Sequence, residues 1–416
     1  MSTSSDIPLQ LAIDGGQPEI SATPTHSPTH RWGAEEKKHL DAMLEQNSLF
    51  YWNGTQTRTL IDNFKKHYPF KYVMPCSSGT AAIHMAVAAA GIKPGDEVIV
   101  PPITDMGTVI GVLYQQGVPV FADLEPHTYN LDPKDVHNRI TPKTRAIIAV
   151  HLAGNACRIE ELRHIADEHN LVLIEDCAQA WGSRWNQTPV GMIGHIGCYS
   201  LNDFKHISCG DGGIVASSDD RFGPLLQGFG DKAYDRTTGV RAPTFLAPNY
   251  RISEPQSAVA AAQMDKMESI TERRHVLGTR LGKQLENIPG ILPHAIPSES
   301  FCTYWFYLLR LDFNMLSCDR DTFVKALQAE GAIAAAGYLA APLYQYPVFQ
   351  NHNFFEGQWP VRDCGLTTMN YQNVSCPQAE AILQTCVYIR LHEAMDETYI
   401  DAVARAIQKV SLHWQC

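Results

Sequence analysis

The sequence lacks the patterns that mark several large classes of protein. Its eleven cysteines never form a Cys-x-x-Cys pair and its seventeen histidines never form His-Glu-x-x-His, so neither a disulfide framework nor a metal site is indicated. No apolar run approaches the roughly 20 residues that span a bilayer. The stretch 1–6 lacks the basic region and apolar core of a secretory signal, so we expect a cytoplasmic protein.

Basic charge is also scarce. The formal net charge of −11 argues against nucleic acid or an anionic membrane as the main partner, because both are bound through basic surface. With 44% apolar and 19% charged residues, the composition is that of an ordinary globular protein. A chain of 416 residues exceeds the size at which one core usually stops growing, so we expect a large domain and a smaller one.

The order of the predicted elements divides the chain into three parts. Residues 1–34, with prolines among serines and threonines, predict an extended N-terminal arm. Residues 35–286 alternate strands with helices and end in a long helix from 254, and residues 287–416 predict a small C-terminal α+β domain. The apolar strand segments favour a mostly parallel sheet that binds ligands at the carboxyl ends of its strands. These predicted strands are 72–74, 97–100, 118–123, 146–151, 171–176 and 214–216.

The first candidate site is the polar turn between strand 72–74 and the following helix. It contains Ser78, Gly79, Thr80 and Ala81. Free N–H groups at a helix start bind phosphate, and glycine permits close approach. The same residues also suit an ordinary helix cap, since serine and threonine are favoured there. The turn is not a P-loop, because no Gly-Lys-Ser/Thr follows it.

The second candidate is Asp176, which follows the apolar strand residues 171–175. A carboxylate at the end of a buried strand needs a cation or hydrogen-bond donors. A protonated ring nitrogen of a cofactor could be that partner, with Gln179 about one helical turn further on. A helix N-cap explains Asp176 equally well.

The third candidate is the glycine-ended stretch 200–213, with Lys205 near its middle. Most lysines are solvated surface groups. A partly desolvated lysine, however, has a lowered pKa and an amine that can form a Schiff base with an aldehyde such as pyridoxal phosphate. Ser200 could donate to the same phosphate as the turn at 78–81.

Taken together, these motifs resemble the DegT/StrS-type sugar aminotransferases, which are pyridoxal phosphate enzymes of fold type I. The resemblance spans roughly residues 10–410 and rests on four motifs: Ser-Gly-Thr-Ala-Ala at 78–82, Glu-Asp-Cys-Ala-Gln-Ala at 175–180, the lysine stretch, and Asn-Tyr-Arg-Ile-Ser-Glu-Pro-Gln at 249–256. It implies an α/β fold with a central, mostly parallel sheet and a smaller C-terminal domain.

The resemblance also implies a role for each matching residue. Lys205 matches the lysine that forms the Schiff base, Asp176 the partner of the pyridine nitrogen, and Gln179 the neighbour of the phenolate oxygen. Asn249 matches a residue that reaches the phosphate from the other subunit, which implies a homodimer with a shared active site. Thr80, Ala81 and Ser200 match phosphate ligands, and with Ser78 and Gly79 of the same turn they would clamp the phosphate.

One position departs from the family pattern. The segment after the second strand usually reads Pro-x-x-Thr and then an aromatic residue whose ring stacks on the cofactor. Here Thr104 is followed by Asp105 and Met106. Asp105 therefore occupies the matching position in the cofactor site, and either another group covers the cofactor face or Asp105 faces the substrate.

The function that the resemblance implies is a two-stage transamination. Glutamate or glutamine would donate the amino group to a nucleotide-linked keto sugar or to a keto-cyclitol, in the biosynthesis of an amino sugar, aminocyclitol or related natural product. A dehydratase or other lyase on the same fold is an alternative, although the related sugar dehydrases carry histidine in place of the lysine. Two further alternatives are a non-catalytic regulatory protein that binds the cofactor and an α/β protein without a cofactor.

Overall fold

A computed structural model describes residues 10–24 and 31–416, in which short strands alternate with helices up to residue 230. The strands are β1 (Tyr72–Cys76), β2 (Glu97–Val100), β3 (Val118–Phe121), β4 (Thr144–Val150), β5 (Val172–Asp176), β6 (Arg184–Trp185), β7 (Thr188–Pro189), β8 (Ile196–Ser200), β9 (Gly213–Ser217), β10 (Ile291–Leu292), β11 (Ser300–Phe301), β12 (Tyr307–Leu311), β13 (Ala334–Ala335) and β14 (Cys386–Ile389). The α-helices are α1 (Ala34–Leu44), α2 (Thr55–His67), α3 (Gly79–Ala89), α4 (Gly107–Tyr114), α5 (Pro133–Asn138), α6 (Ile159–Glu168), α7 (Gly223–Gly230), α8 (Glu254–Leu285), α9 (Arg320–Ala329), α10 (Pro347–Gln350), α11 (Pro360–Asp363), α12 (Pro377–Thr385) and α13 (Glu397–His413).

The central sheet has seven strands in the order β1-β9-β8-β5-β4-β2-β3. Each neighbouring pair in the series β8-β5-β4-β2-β3 is parallel. Strand β9 runs antiparallel to both of its neighbours, β8 and β1. Five of the strands, β2, β3, β5, β8 and β9, bury every residue or all but the first. This pattern is expected for a sheet covered by helices on both faces. The predicted mostly parallel α/β fold is confirmed.

The topology brings the sequence motifs to one edge of this sheet. The chain leaves β1 into the turn at 77–78, leaves β2 into the loop with Asp105, and leaves β8 into the loop with Lys205. Asp176 is the last residue of β5, which pairs directly with β8. Because these four strands point in the same direction, their carboxyl ends deliver these residues to the same side of the protein.

A second sheet, β10-β12-β14-β13, packs mainly in a separate, smaller hydrophobic cluster in the C-terminal part of the chain. A larger hydrophobic cluster surrounds the central sheet. Helix α8 connects the two clusters, since Met264 packs in the larger one and Leu281 in the smaller one. Residues Leu343 and Tyr371 pack in the larger cluster although they follow the second sheet's first strands in sequence. The boundary at residues 286 and 287 stays a prediction.

The predicted arm, residues 1–34, lies partly outside the described residues, and the stretch 1–6 lies wholly outside them. Of the described part, Leu11 and Ile20 are buried in the smaller cluster. Among residues 10–24 and 31–416, no helix combines the length and the apolar character needed to cross a membrane.

Candidate active site

A cavity at the carboxyl edge of the central sheet brings most of the predicted site residues together. The predicted residues that line it are Ser78, Gly79, Thr80, Asp105, Asp176, Ser200 and Lys205. Residues that were not predicted also line it, among them Thr108, Asn202 and Asp211. Seven residues from four separate stretches of the sequence therefore face one space.

One wall of the cavity is the start of α3. Ser78 is the N-cap, and its Oγ accepts a hydrogen bond of 3.0 Å from the amide of Ala81. The capping interpretation is therefore correct, and Ala81 uses its N–H within the cap. The amides of Gly79 and Thr80 belong to the first turn of α3, where N–H groups and the helix dipole favour an anion.

Two glycines allow the loops around this wall to approach closely. A Cβ added to Gly79 would lie 2.7 Å from Cβ of Ser200, which is too close for any side chain. A Cβ on Gly107, at the start of α4, would lie 2.5 Å from Oγ1 of Thr80. The turn after β1 is thus packed directly against the end of β8 and the start of α4, and these contacts shape the anion-binding corner.

Asp176 borders the same cavity, and only 3% of its surface is exposed. One carboxylate oxygen accepts from Thr108 Oγ1 at 2.8 Å and the other from the amide of Ala178 at 3.0 Å. Burial raises the pKa of Asp176 above its ordinary value, while these two bonds and the charge of Lys205 oppose the rise. A cationic N–H group in the cavity would stabilise this carboxylate further.

Lys205 is the third component, with 9% of its surface exposed. Burial lowers the pKa of its amine to about 8, although the charges of Asp176 and Asp105 act in the opposite direction. The Nζ atom lies 3.6 Å from the centre of the Trp305 ring. At neutral pH a useful fraction of this amine is therefore unprotonated and able to attack a carbonyl carbon.

Asp105 lies at the mouth of the cavity and is exposed. Its Oδ1 accepts a hydrogen bond of 2.8 Å from the amide of Gly107, which fixes the carboxylate at the start of α4. Its negative charge contributes to the raised pKa of Tyr338 and Tyr346, after burial as the larger cause. These two tyrosines come from the stretch 338–349, which therefore lies near Asp105.

Three predicted site residues, Ala81, Gln179 and Asn249, do not line the cavity in this chain. Gln179 is buried, and its side-chain amide accepts from the N–H of Ala153 at 2.9 Å and donates to the hydroxyl of Tyr338 at 3.1 Å. Asn249 is exposed, and its Oδ1 accepts from the amide of Arg251 at 3.5 Å. Their predicted contacts with a cofactor stay predictions.

Two residues of the site were not predicted from the sequence. Thr108 binds Asp176 from the first turn of α4, and Trp305, whose ring lies against Lys205 Nζ, comes from the C-terminal part of the chain. Trp305 lies two residues before β12, which begins at Tyr307. The sequence offered a signal only for Thr108, which is a polar residue at the start of a helix. Trp305 has no such signal.

The residues present fit pyridoxal phosphate. A helix start with an adjacent serine suits its phosphate, and a buried carboxylate with room for one more donor suits its pyridine nitrogen. A buried amine of lowered pKa suits its aldehyde. All three groups border the same cavity, as the cofactor requires.

Comparisons with known proteins agree with this chemistry. Residues 31–408 match the DegT/DnrJ/EryC1/StrS aminotransferase family. The spore coat polysaccharide biosynthesis protein SpsC of Bacillus subtilis is 24% identical over 387 residues, covering 91% of this chain and 95% of that protein.

Solved structures show the same fold. An aminotransferase from Psychrobacter cryohalolentis is 26% identical, with a TM-score of 0.80, and the match covers 92% of this chain and 97% of that one. The 3-amino-5-hydroxybenzoic acid synthase is 24% identical, with a TM-score of 0.81 and coverage of 95% and 99%. The protein belongs to the DegT/DnrJ/EryC1/StrS aminotransferase family and is a transaminase that depends on pyridoxal phosphate.

Proposed function

We propose that the protein transfers the amino group of glutamate or glutamine to a nucleotide-linked keto sugar or a keto-cyclitol, in the biosynthesis of an amino sugar, aminocyclitol or related natural product. The observation that carries the proposal is the buried amine of Lys205, which borders one cavity with Asp176 and the start of α3. The likeness to a polysaccharide biosynthesis protein supports a sugar as the acceptor.

In this proposal each wall of the cavity binds one part of the cofactor. The amides of Gly79 and Thr80, with the hydroxyl of Ser200, bind the phosphate, while Ser78 and Ala81 keep the turn in shape through the cap. Asp176 would accept a hydrogen bond from the protonated ring nitrogen, and Thr108 and the amide of Ala178 hold the Asp176 carboxylate in place for it.

Lys205 then handles the proton. Pyridoxal phosphate, when bound, supplies a ring that withdraws electrons from the α-carbon of an amino donor. Lys205 Nζ would take the proton from that α-carbon as a base and then deliver it, as an acid, to the cofactor carbon. A pKa of about 8 suits both tasks near neutral pH, because neither protonation state is rare there.

Asp105 is proposed to face the acceptor. Its carboxylate lies at the mouth of the cavity. Within the described residues, this carboxylate accepts a hydrogen bond only from the Gly107 amide. A carboxylate in that position accepts hydrogen bonds from the hydroxyl groups of a sugar or cyclitol. Asp105→Asn would then raise KM for the acceptor more than KM for the donor, and equal changes in the two would contradict this role.

A homodimer completes the proposal. Asn249 is exposed and lies outside the cavity of its own chain, as expected for a residue that reaches a partner's phosphate. Large apolar side chains are exposed nearby in sequence, with Leu246 at 97% and Val240 at 51%. Exposed apolar groups of this kind favour an interface. Sedimentation that shows only monomers at micromolar concentration, with full cofactor binding, would contradict it.

Product analysis tests the function. Purified protein receives labelled glutamate or glutamine with candidate keto sugars and keto-cyclitols, and both products are quantified. We expect one amine product for every 2-oxo acid released from the donor. Loss of water from the acceptor without consumption of the donor would instead establish the dehydratase alternative. Cofactor binding without turnover of any acceptor or donor would favour the regulatory alternative.

A further inference from the structure

The loop that carries Lys205 has little regular structure of its own. It follows β8, and its backbone is held internally by few bonds, such as the 2.9 Å bond from the Lys205 amide to the Asn202 carbonyl. Lys205 and His206 are buried, and a buried carbonyl without a donor costs free energy, so this part of the loop needs partners from elsewhere. The carbonyls of 203–206 all accept hydrogen bonds from side chains that lie more than one hundred residues away in sequence.

Arg31 supplies most of these donors. Its Nη1 donates to the carbonyl of Asp203 at 2.6 Å, and its Nη2 donates to the carbonyls of Lys205 and His206, the latter at 2.9 Å. The guanidinium thus spans the residues on both sides of the lysine as well as the lysine itself. Its planar, rigid set of donors suits three fixed acceptors in a way that a single ammonium group does not.

Trp305 supplies the remaining donor. Its Nε1 donates to the carbonyl of Phe204 at 2.6 Å, and the face of the same ring lies beneath Nζ of Lys205. Arg31 therefore fixes the backbone of the loop, and Trp305 links that backbone to the position of the amine.

Arg31 is itself held in place by α8 and α1. Its carbonyl accepts from Gln263 Nε2 and from Lys266 Nζ, each at 3.3 Å. Both of these side chains also donate to the buried carboxylate of Glu36, which accepts in addition from the amide of Gly33 at 2.8 Å. This network ties the segment before α1 to the longest helix, so Arg31 approaches the lysine loop from a rigid base.

We propose that Arg31 is a positioning residue for Lys205, which orients the lysine amine towards the cofactor by fixing three carbonyls of its loop. The proposal rests on the proposed role of Lys205. Without Arg31 the loop's backbone is free to shift, and a displacement of about 1 Å of a reacting group costs roughly a hundredfold in rate. Cofactor bound at the α3 corner and Asp176 would remain, because Arg31 is not among the residues that line the cavity in the described chain.

The test measures how much of the bound cofactor is attached to Lys205. Holoenzyme is treated with sodium borohydride, whose hydride converts the reversible link into a stable amine, and peptide mass spectrometry gives the modified fraction of Lys205. Total bound cofactor is measured separately. In Arg31→Met we expect the attached fraction to fall several-fold and kcat to fall roughly tenfold to a hundredfold, with a smaller change in KM.

Arg145→Met is the matched control. Arg145 Nη1 also donates to two backbone carbonyls, those of Pro142 at 2.9 Å and Thr144 at 2.8 Å, but at the amino end of β4, away from the cavity. We expect this variant to attach the cofactor as the wild type does. An equal loss in Arg145→Met, or unchanged attachment and kcat in Arg31→Met, would overturn the proposal.

Arg31→Lys decides the case if Arg31→Met does not fold. Lysine keeps the positive charge but has a single ammonium group in place of the planar guanidinium. We therefore expect the fraction of cofactor attached to Lys205 to lie between those of wild type and Arg31→Met. Wild-type attachment and kcat in Arg31→Lys would overturn the proposal. Absence of attachment in the wild type is a different result, because it would contradict the proposed role of Lys205 itself.

Discussion

Glu175 and Asp176 are neighbours at the end of β5, and both are buried, yet their surroundings differ. The Glu175 carboxylate accepts from the amides of Gly191 and Ile193 at 2.6 and 2.8 Å, from a third amide, and from His151 at 3.0 Å. Asp176 has two donors and otherwise faces the cavity. The carboxylate on one side of the strand is fully engaged by the fold, and the one on the other side has capacity for a ligand.

The two buried lysines differ in the same way. Lys409 Nζ donates to the carbonyl of Gln17 at 2.8 Å and forms a 3.0 Å ion pair with Glu330. Lys205 Nζ instead lies over an aromatic ring at the edge of the cavity, and burial lowers the pKa of its amine. Burial of a charge is thus common to both regions, and incomplete pairing beside a cavity is what distinguishes the site.

Paired substitutions of the two lysines should give the largest contrast. Lys205→Ala removes the proposed acid and base, so we expect kcat to fall roughly a thousandfold or more, with little change in the free energy of unfolding. Lys409→Met leaves a buried carboxylate without its cation and should lower the free energy of unfolding by roughly 3 kcal/mol, with kcat nearly unchanged. Steady-state kinetics and urea unfolding measure both. A catalytic loss in Lys409→Met comparable to that in Lys205→Ala would remove the distinction.

The adjacent carboxylates provide a second, smaller contrast. Asp176→Asn replaces a charged acceptor by a neutral amide, so we expect kcat/KM to fall about a hundredfold and cofactor affinity to weaken. Glu175→Gln should lower the free energy of unfolding by about 1–3 kcal/mol, because one carboxylate oxygen that accepts backbone bonds is lost. Its kcat should stay close to that of the wild type. The comparison fails if Glu175→Gln loses catalysis and Asp176→Asn does not.

Asp105→Asn should give the smallest effect, a shift in pH dependence. Burial lowers the pKa of Lys205 to about 8, and Asp176 and then Asp105 raise it by their charge. Removal of the Asp105 charge leaves less opposition to burial, so the pKa of Lys205 falls further. The rate at which apoprotein takes up pyridoxal phosphate needs the neutral amine, and its midpoint should move to lower pH by a fraction of a unit. A midpoint that moves to higher pH would contradict this electrostatic account.

The central sheet could be predicted from sequence wherever apolar runs were uninterrupted. The strand predicted at 97–100 is β2, and the long helix predicted from 254 is α8, which ends one residue earlier than expected. Strand β8 was not predicted, because Gly197 and Ser200 dilute its apolar character. Helix α2 was also missed, since most of its residues are polar and only a few, such as Leu60 and Phe64, reach the core.

The site was predictable to the extent that its motifs are local. The cap at Ser78, the strand end at Asp176 and the lysine loop each have a sequence signature of their own. Arg31 and Trp305 have none, because their contacts with the lysine loop join residues more than one hundred positions apart. Such contacts depend on how the two hydrophobic clusters and the N-terminal segment pack together, which no local pattern records.

The absorbance of the purified protein tests the central claim most directly. Pyridoxal phosphate held by Lys205 should give a visible band in the wild type, and glutamate or glutamine should bleach that band as the amino group is transferred. Lys205→Ala, with the same amount of cofactor added, should lack the protein-linked band. A colourless wild type that takes up no added pyridoxal phosphate, or a variant whose band and response to the donor match those of the wild type, would contradict the account.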